Sequence, residues 1–162
     1  MTAASASARR WCTFLVGEAC FAIDSAAVIE VLRDRGLTRV PLAAPGVLGL
    51  AHLRGRIVPV VDPADRLGVD RGQARPRTHL VVALGDDWYG LVVDEMLDVI
   101  EIPPARIERP TAAGGSGEAV TGTFAAEQRL VHLLDPERMI HSLVRHAAHQ
   151  PGRPGGSNGG RD

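Results

Sequence analysis

Short apolar runs broken by turn residues set the pattern of this chain. They fall at 11–16, 20–23, 29–33, 47–53, 57–61, 78–84, 88–93, 97–102, 119–125 and 129–134, and many are rich in Val, Ile and Leu. Between them stand Gly17-Glu18, Arg54-Gly55, Gly85-Asp86-Asp87 and Glu127-Gln128. Strand-length runs at short, regular spacing predict an all-β body, a barrel or a sandwich. Gly17-Glu18 reads as a two-residue hairpin loop with glycine first, as a type II′ turn prefers. That register pairs Val16 with Ala19, Phe14 with Phe21 and Cys12 with Ile23. Cys12 then shares a face with Phe14 and Val16 while Cys20 lies on the other, which argues against a Cys12–Cys20 disulfide.

Helices are expected to be few. Asp24 caps a short turn before the strand from Ile29. Asp62-Pro63 and Asp135-Pro136 each place an N-cap Asp before a proline at the first helical position. Beyond Asp135, Met139, Ile140, Leu143, Val144 and Ala147 recur at helical spacing and predict an apolar stripe packed on the strands. Residues 1–10 and 149–162 are expected to be disordered tails around a folded region at 11–148, the second being rich in Gly, Pro and Ser. Thr111–Glu118 and Val69–Pro76 read as mobile loops.

The chain also repeats itself. Arg56-Ile57-Val58-Pro59-Val60-Val61-Asp62-Pro63 returns as Arg129-Leu130-Val131-His132-Leu133-Leu134-Asp135-Pro136, offset 73 (129 − 56), with four of eight positions identical. Leu15–Ile23 resembles Ala83–Leu91 at offset 68 (85 − 17), and Gly49 and Gly122 are again 73 apart. Ordered matches at nearly one offset predict two similar β units of five strands each. Val58, Val60, Val131 and Leu133 should then be structurally equivalent.

Composition narrows the function classes. The chain has 162 residues, a hydrophobic fraction of 45% and a net charge of −1, as an ordinary globule has. All 18 basic residues are Arg, and no basic excess favours nucleic acid. No apolar run has the length of a membrane span and no signal-peptide pattern opens the chain, so the expected location is cytoplasmic, without direct membrane insertion.

Chemistry is sparse. There is no nucleophile elbow and no phosphate-binding loop. Asp62 and Asp135 occupy matching repeat positions and read as helix caps rather than as a catalytic pair. His132 alternates with apolar neighbours and reads as a solvent-side or satisfied core histidine; His146 and His149 read as a solvated helix end rather than a metal site. No metal and no cofactor is expected. Trp11, Trp88 and Tyr89 read as core or edge packing. Such a body suggests a module whose surface is its function.

Four blocks carry a family resemblance. Phe14-Leu15-Val16-Gly17, Phe21-Ala22-Ile23 and Val28-Ile29-Glu30-Val31 form an opening hairpin and strand. Val47 to Asp62, with Gly49, Leu53-Arg54-Gly55, Ile57 and Pro59-Val60, is the most specific block. Tyr89-Gly90-Leu91-Val92-Val93-Asp94 with Val99, and Val120-Thr121-Gly122 with Leu130–Asp135, complete the set. Together they resemble the CheW-like domain of bacterial chemotaxis over residues 11–140, about four-fifths of the chain. The resemblance implies an all-β fold of two intertwined five-stranded SH3-like barrels with a C-terminal helix, and no enzymatic activity. It implies an adaptor between the chemoreceptor cytoplasmic signalling tip and the regulatory domain of the histidine kinase CheA, with other CheW-like domains as further partners, working at the membrane-associated receptor array. The receptor-side groove would comprise Val28, Glu30, Gly49, Arg54 and Val99.

Other readings stand beside these. Val28 and Val99 could be core valines, Arg54 a solvated turn residue and Gly49 a matter of strand geometry. The chain departs from the family at His52, where Asn is usual, and at Pro63, where Leu is usual. Both departures fit a divergent paralogue. An accessory protein that binds CheA without productive receptor coupling is therefore an alternative to a full adaptor. A small β-barrel hydrolase or ligand-binding protein would need clustered acids or histidines in a cavity, which the sequence does not offer.

Overall fold

The computed structural model describes residues 7–33, 37–38, 46–71, 77–109 and 119–148, the last five as backbone alone. The expected tails at 1–6 and 149–162, the loop at 111–118 and the remainder of the loop at 72–76 lie outside the described residues. Ten strands appear: β1 Arg9–Val16, β2 Ala19–Asp24, β3 Val28–Arg33, β4 Val47–Leu53, β5 Arg56–Val61, β6 Thr78–Leu84, β7 Asp87–Val93, β8 Glu95–Ile102, β9 Val120–Ala125 and β10 Leu130–Leu134. Two helices, α1 Ala64–Leu67 and α2 Pro136–Ala148, follow β5 and β10, the two strands of the repeat. β1 starts at Arg9, inside the expected tail, because Arg9 and Arg10 pair with Ile102 and Glu101 of β8.

The first hairpin has the register read from Gly17-Glu18: Val16 faces Ala19, Phe14 faces Phe21 and Cys12 faces Ile23. Both cysteines are free and buried. Gly17 and Gly85 open equivalent two-residue turns at φ 61° and 59°. At the Arg54-Gly55 turn both residues have positive φ, 50° and 75°, as a type I′ hairpin requires.

The strands form two five-stranded sheets, ordered β8-β1-β2-β10-β9 and β3-β6-β7-β5-β4. The duplication maps one order onto the other, with β8 in the place of β3 and β1 in the place of β6. Hence β3, which follows β2 in the chain, belongs to the second sheet, and β8, which follows β7, belongs to the first. Each repeated unit, β1–β5 or β6–β10, is thus split between the sheets, with two strands in one and three in the other.

The match extends to irregularities. Val47 pairs with Val61 and Gly49 with Val60, a bulge. Val120 pairs with Leu134 and Gly122 with Leu133, the same bulge 73 residues on. Each sheet curls closed where the segment after its edge strand β3 or β8 meets its far edge, through the bridges Thr38–Leu50 and Glu108–Thr123. Those closures explain the repeated glycines. A Cβ at Gly49 would lie 2.8 Å from Thr38 O, and one at Gly122 would lie 2.7 Å from Ile107 Cγ2.

Three apolar cores result. The central one takes Phe14, Val16, Phe21 and Ile23 from the first sheet and Leu80, Val82, Leu91 and Val93 from the second. Met139, Ile140 and Leu143, the described part of the expected stripe, seal it from α2. A second core fills the first sheet's interior around Trp11, Ala22, Phe124 and Val131. A third fills the other interior around Leu53, Val58 and Val81. Val58, Val60, Val131 and Leu133 are all buried, as equivalence demands.

The caps are used as expected, with one shift. Asp135 Oδ1 accepts from the Glu137 amide at 2.9 Å. Asp62 Oδ1 accepts from Ala64 at 3.0 Å, and Pro63 precedes the helix rather than occupying its first turn.

The two hairpin glycines differ in their surroundings. A Cβ at Gly17 would meet Val69 Cγ1 at 2.6 Å and Asp70 O at 2.7 Å, whereas one at Gly85 meets nothing within 4 Å. Gly85→Ala should cost about 1–2 kcal/mol, the left-handed penalty alone. Gly17→Ala should cost that plus about 1–3 kcal/mol of overpacking. Urea denaturation of the two variants measures the difference, and equal losses would contradict the close approach at Gly17.

Candidate functional site

Among the described residues no group of three or more His, Cys, Asp or Glu is arranged to hold a metal. Two groups of exposed side chains stand out on the surface.

The first contains the residues matched to a receptor-side groove. Val28 and Glu30 lie on β3, Gly49 on β4 and Arg54 in the β4–β5 turn, all in the second sheet. Although β3 and β4 are the sheet's opposite ends in hydrogen-bonding order, closure brings their residues together. Arg54 Nη2 lies 3.3 Å from Glu30 Oε2, an ion pair out of line for a hydrogen bond, with the arginine side chain 66% exposed. An exposed pair of this kind is worth about 0–1 kcal/mol, so it orients both side chains more than it holds the fold. Val99, on β8 of the first sheet, is 57% exposed and is no core valine. Val28 is half-buried and packs against the central core. Gly49 is buried, and its missing side chain makes room for the chain's own segment at Leu37 and Thr38. His52 is exposed opposite Ile57 on the neighbouring strand.

The second group lines a pair of shallow concavities at repeat-equivalent places. One is lined by Arg56, Ile57, Asp86 and Trp88, the other by Arg129, Leu130, Glu18 and Cys20. Ile57 is 61% exposed and Leu130 51%. Their electrostatics differ. Arg56 stacks 4.4 Å above the Trp88 ring and donates to Asp86 O at 2.7 Å. On the other side His132 packs on Phe21 with ring centroids 5.4 Å apart. Strand alternation held the signal for these two residues. With Val58 and Val60, or Val131 and Leu133, turned inward, Ile57 and Leu130 must stand on the outer face.

One feature has no sequence signature. Arg71, expected in a mobile loop, is buried, its side chain only 9% exposed. It donates to Asp62 Oδ1 at 2.6 Å, to Asp94 Oδ1 at 2.9 Å and to Val92 O at 2.6 Å. Asp94 in turn accepts from the Gly17 amide through its other oxygen, and its own amide donates to Leu15 O at 2.8 Å. Asp62 is thus both a cap and an ion-pair partner, a role beyond the one its proline context indicates. The start of the expected loop at 69–71 is pinned: burial of the guanidinium demands paired acceptors on every side.

Burial pushes both thiols up from the ordinary cysteine range. At Cys12 the nearby Asp24 carboxylate adds to the effect, and at Cys20 the Arg129 guanidinium offsets part of it. Both should therefore alkylate slowly with iodoacetamide at pH 8 in the folded protein and readily in denaturant. Mass spectrometry of labelled protein reads this, and rapid native labelling of either cysteine would contradict it.

Comparison with known proteins accords with this architecture. The model of the CheW-like domain matches residues 10–144. Chemotaxis protein CheW of Thermotoga maritima is 28% identical over 82% of this chain and 87% of its own length. That of Rhizobium meliloti is 31% identical, covering 86% and 92%. Protein PilI of Pseudomonas aeruginosa is 34% identical over 82% of this chain and 74% of its own. The crystal structure of the scaffolding protein TtCheW from Thermoanaerobacter tengcongensis superposes with a TM-score of 0.73 at 25% identity, covering 80% of this chain and 85% of that one. Members of this group are scaffolding proteins, not enzymes. With a family match over residues 10–144, which span both units, the chain belongs to the CheW-like domain family.

Proposed function

We propose that the chain is a non-enzymatic coupling adaptor of a chemotaxis pathway, joining chemoreceptor signalling tips to the histidine kinase CheA. Membership of the CheW-like family across 10–144 is the observation that carries the reading. Within it, Glu30, Arg54 and Val99, with Val28 at the margin of the central core and Gly49 shaping the strand beneath, form the receptor-side groove. An exposed valine and an exposed, ion-paired arginine suit a helical partner with an apolar stripe flanked by charge.

The two concavities at Ile57 and Leu130 are the docking ends for CheA, whose regulatory domain is itself CheW-like. Two equivalent ends on one molecule suit alternating, chain-extending contacts rather than a closed pair. Other CheW-like domains could use the same ends. No helix among the described residues is long and apolar enough to cross a membrane, so location at the receptor array would come through these partners. The exposed Arg54 and Val99 favour a full adaptor over an accessory that binds CheA alone.

Arg54→Glu tests the groove. It replaces a fixed cation by an anion beside Glu30, a change of two charge units. The fold should lose about 1 kcal/mol, since an ion pair worth about 0–1 kcal/mol gives way to two like charges. Receptor-dependent CheA activation should fall clearly, because like charges across an interface are costly. Normal activation by a folded variant would remove Arg54 from the site.

Ile57→Arg and Leu130→Arg test the ends. Each should leave the melting temperature nearly unchanged and weaken CheA-domain binding at its own end about tenfold or more, as loss of an apolar anchor does, so that calorimetric stoichiometry falls from two domains to one. Unchanged stoichiometry in both variants and full affinity in the double variant would show that CheA docks elsewhere.

A further inference from the structure

The two docking ends are equivalent in backbone and unequal in support. The hairpin that walls the Leu130 concavity, Gly17-Glu18, is overlaid by Val69 and Asp70 so closely that a Cβ at Gly17 would meet them at 2.6 and 2.7 Å. The corresponding hairpin of the Ile57 concavity, at Gly85-Asp86, has nothing within 4 Å of the same point. The overlying segment is held at Val69, whose amide donates to Ala64 O at 2.9 Å, and at Arg71, the residue after Asp70, through Asp62 and Asp94.

Asp94 is also where the chain crosses from β7 of the second sheet to β8 of the first. Its side chain takes the Gly17 amide and its backbone amide reaches Leu15 O. One guanidinium thus ties together the end of β5, the crossover and the tip of a hairpin in the other sheet. The matching position in the duplicate carries no such tie among the described residues. Asp135, the equivalent of Asp62, pairs with Arg138 of its own helix at 3.7 Å, the arginine 62% exposed. Asp24, at the first crossover, pairs with an exposed Arg9 at 3.8 Å.

We propose that Arg71 is a positioning residue that braces the Leu130 docking end through the Gly17-Glu18 hairpin and does not act on the Ile57 end, whose own hairpin is held by the exposed Arg56 at Asp86 O. A preorganised wall loses less freedom on docking than a loose one, so the braced end owes part of its affinity to Arg71. The brace needs the arginine fork. Lysine offers a single point charge and cannot reach Asp62, Asp94 and Val92 O in one geometry.

This inference rests on the reading of the two concavities as docking ends, and its test separates the two ideas. Arg71→Met and Arg71→Lys are made in the full chain, alone and combined with Ile57→Arg or Leu130→Arg. Amide hydrogen exchange by NMR is followed at Gly17 and Asp94 and, as controls, at Phe21 and Leu91 inside the sheets. Affinity is measured for the isolated regulatory domain of CheA.

Exchange at Gly17 and Asp94 should accelerate about tenfold or more while Phe21 and Leu91 keep their protection. With Ile57→Arg, where only the Leu130 end remains, Arg71→Met should weaken binding about tenfold, and Arg71→Lys should recover only part. With Leu130→Arg, the same changes should alter affinity less than about twofold. Equal losses at both ends, unaltered exchange at Gly17, loss of protection throughout both sheets, or unfolding of even Arg71→Lys would each overturn the proposal. If neither end binds CheA, the docking reading fails, and the exchange data decide the brace by themselves.

Discussion

Everything in this molecule depends on a core that belongs to both sheets at once. Phe14, Val16, Phe21 and Ile23 meet Leu80, Val82, Leu91 and Val93 across it, with α2 as a lid. Each such side chain, fully buried, is worth about 1.5–3 kcal/mol in transfer free energy. The middle strands bury their other face as well, inside their own sheet's interior, around Ala22 and Val131 or around Val81 and Val58. A strand buried on both faces reads as a continuous apolar run, which is why so many here lack clear alternation. Neither unit could leave its partner without exposing one side of every central strand.

The chain's two crossings between sheets, into β3 and into β8, accompany that shared core and shape the surface. Closure brings the two edge strands of a sheet together, so Glu30 of β3 meets Arg54 of the β4–β5 turn only after the second sheet has closed. Closure needs backbone to pass close over β4 and β9, and glycine stands at both places. Gly49 is thus a structural requirement that lies under a candidate binding surface, with no side chain to offer a partner.

Duplication fixed a backbone and left its chemistry free to drift. Pro59 answers to His132, Trp88 to Cys20 and Gly90 to Ala22, within nearly the same pairing pattern. Gly90 approaches Val60 so closely that a Cβ would sit 3.0 Å from its Cγ2, yet Ala22 fits opposite Leu133. Equivalent ends therefore differ in polarity and in how firmly they are held. Arg71 and Asp94 serve one end, while Asp135, the counterpart of Asp62, turns to its own helix.

The sequence by itself determined what is local. Strand positions, the Gly17-Glu18 register, the separation of Cys12 from Cys20, the Asp caps and the inward turn of Val58 and Val131 all follow from neighbours along the chain. The repeat extended that reach, because two similar stretches must fold alike. Only the tertiary structure decided which strands change sheets, why Gly49 and Gly122 are glycines, that Val99 is exposed while Val28 leans on the core, and that Arg71 leaves its loop to join Asp62 and Asp94. Those outcomes depend on residues far apart in sequence meeting at one point. A buried arginine is stable only where several acceptors converge on it, and no spacing along the chain encodes that convergence.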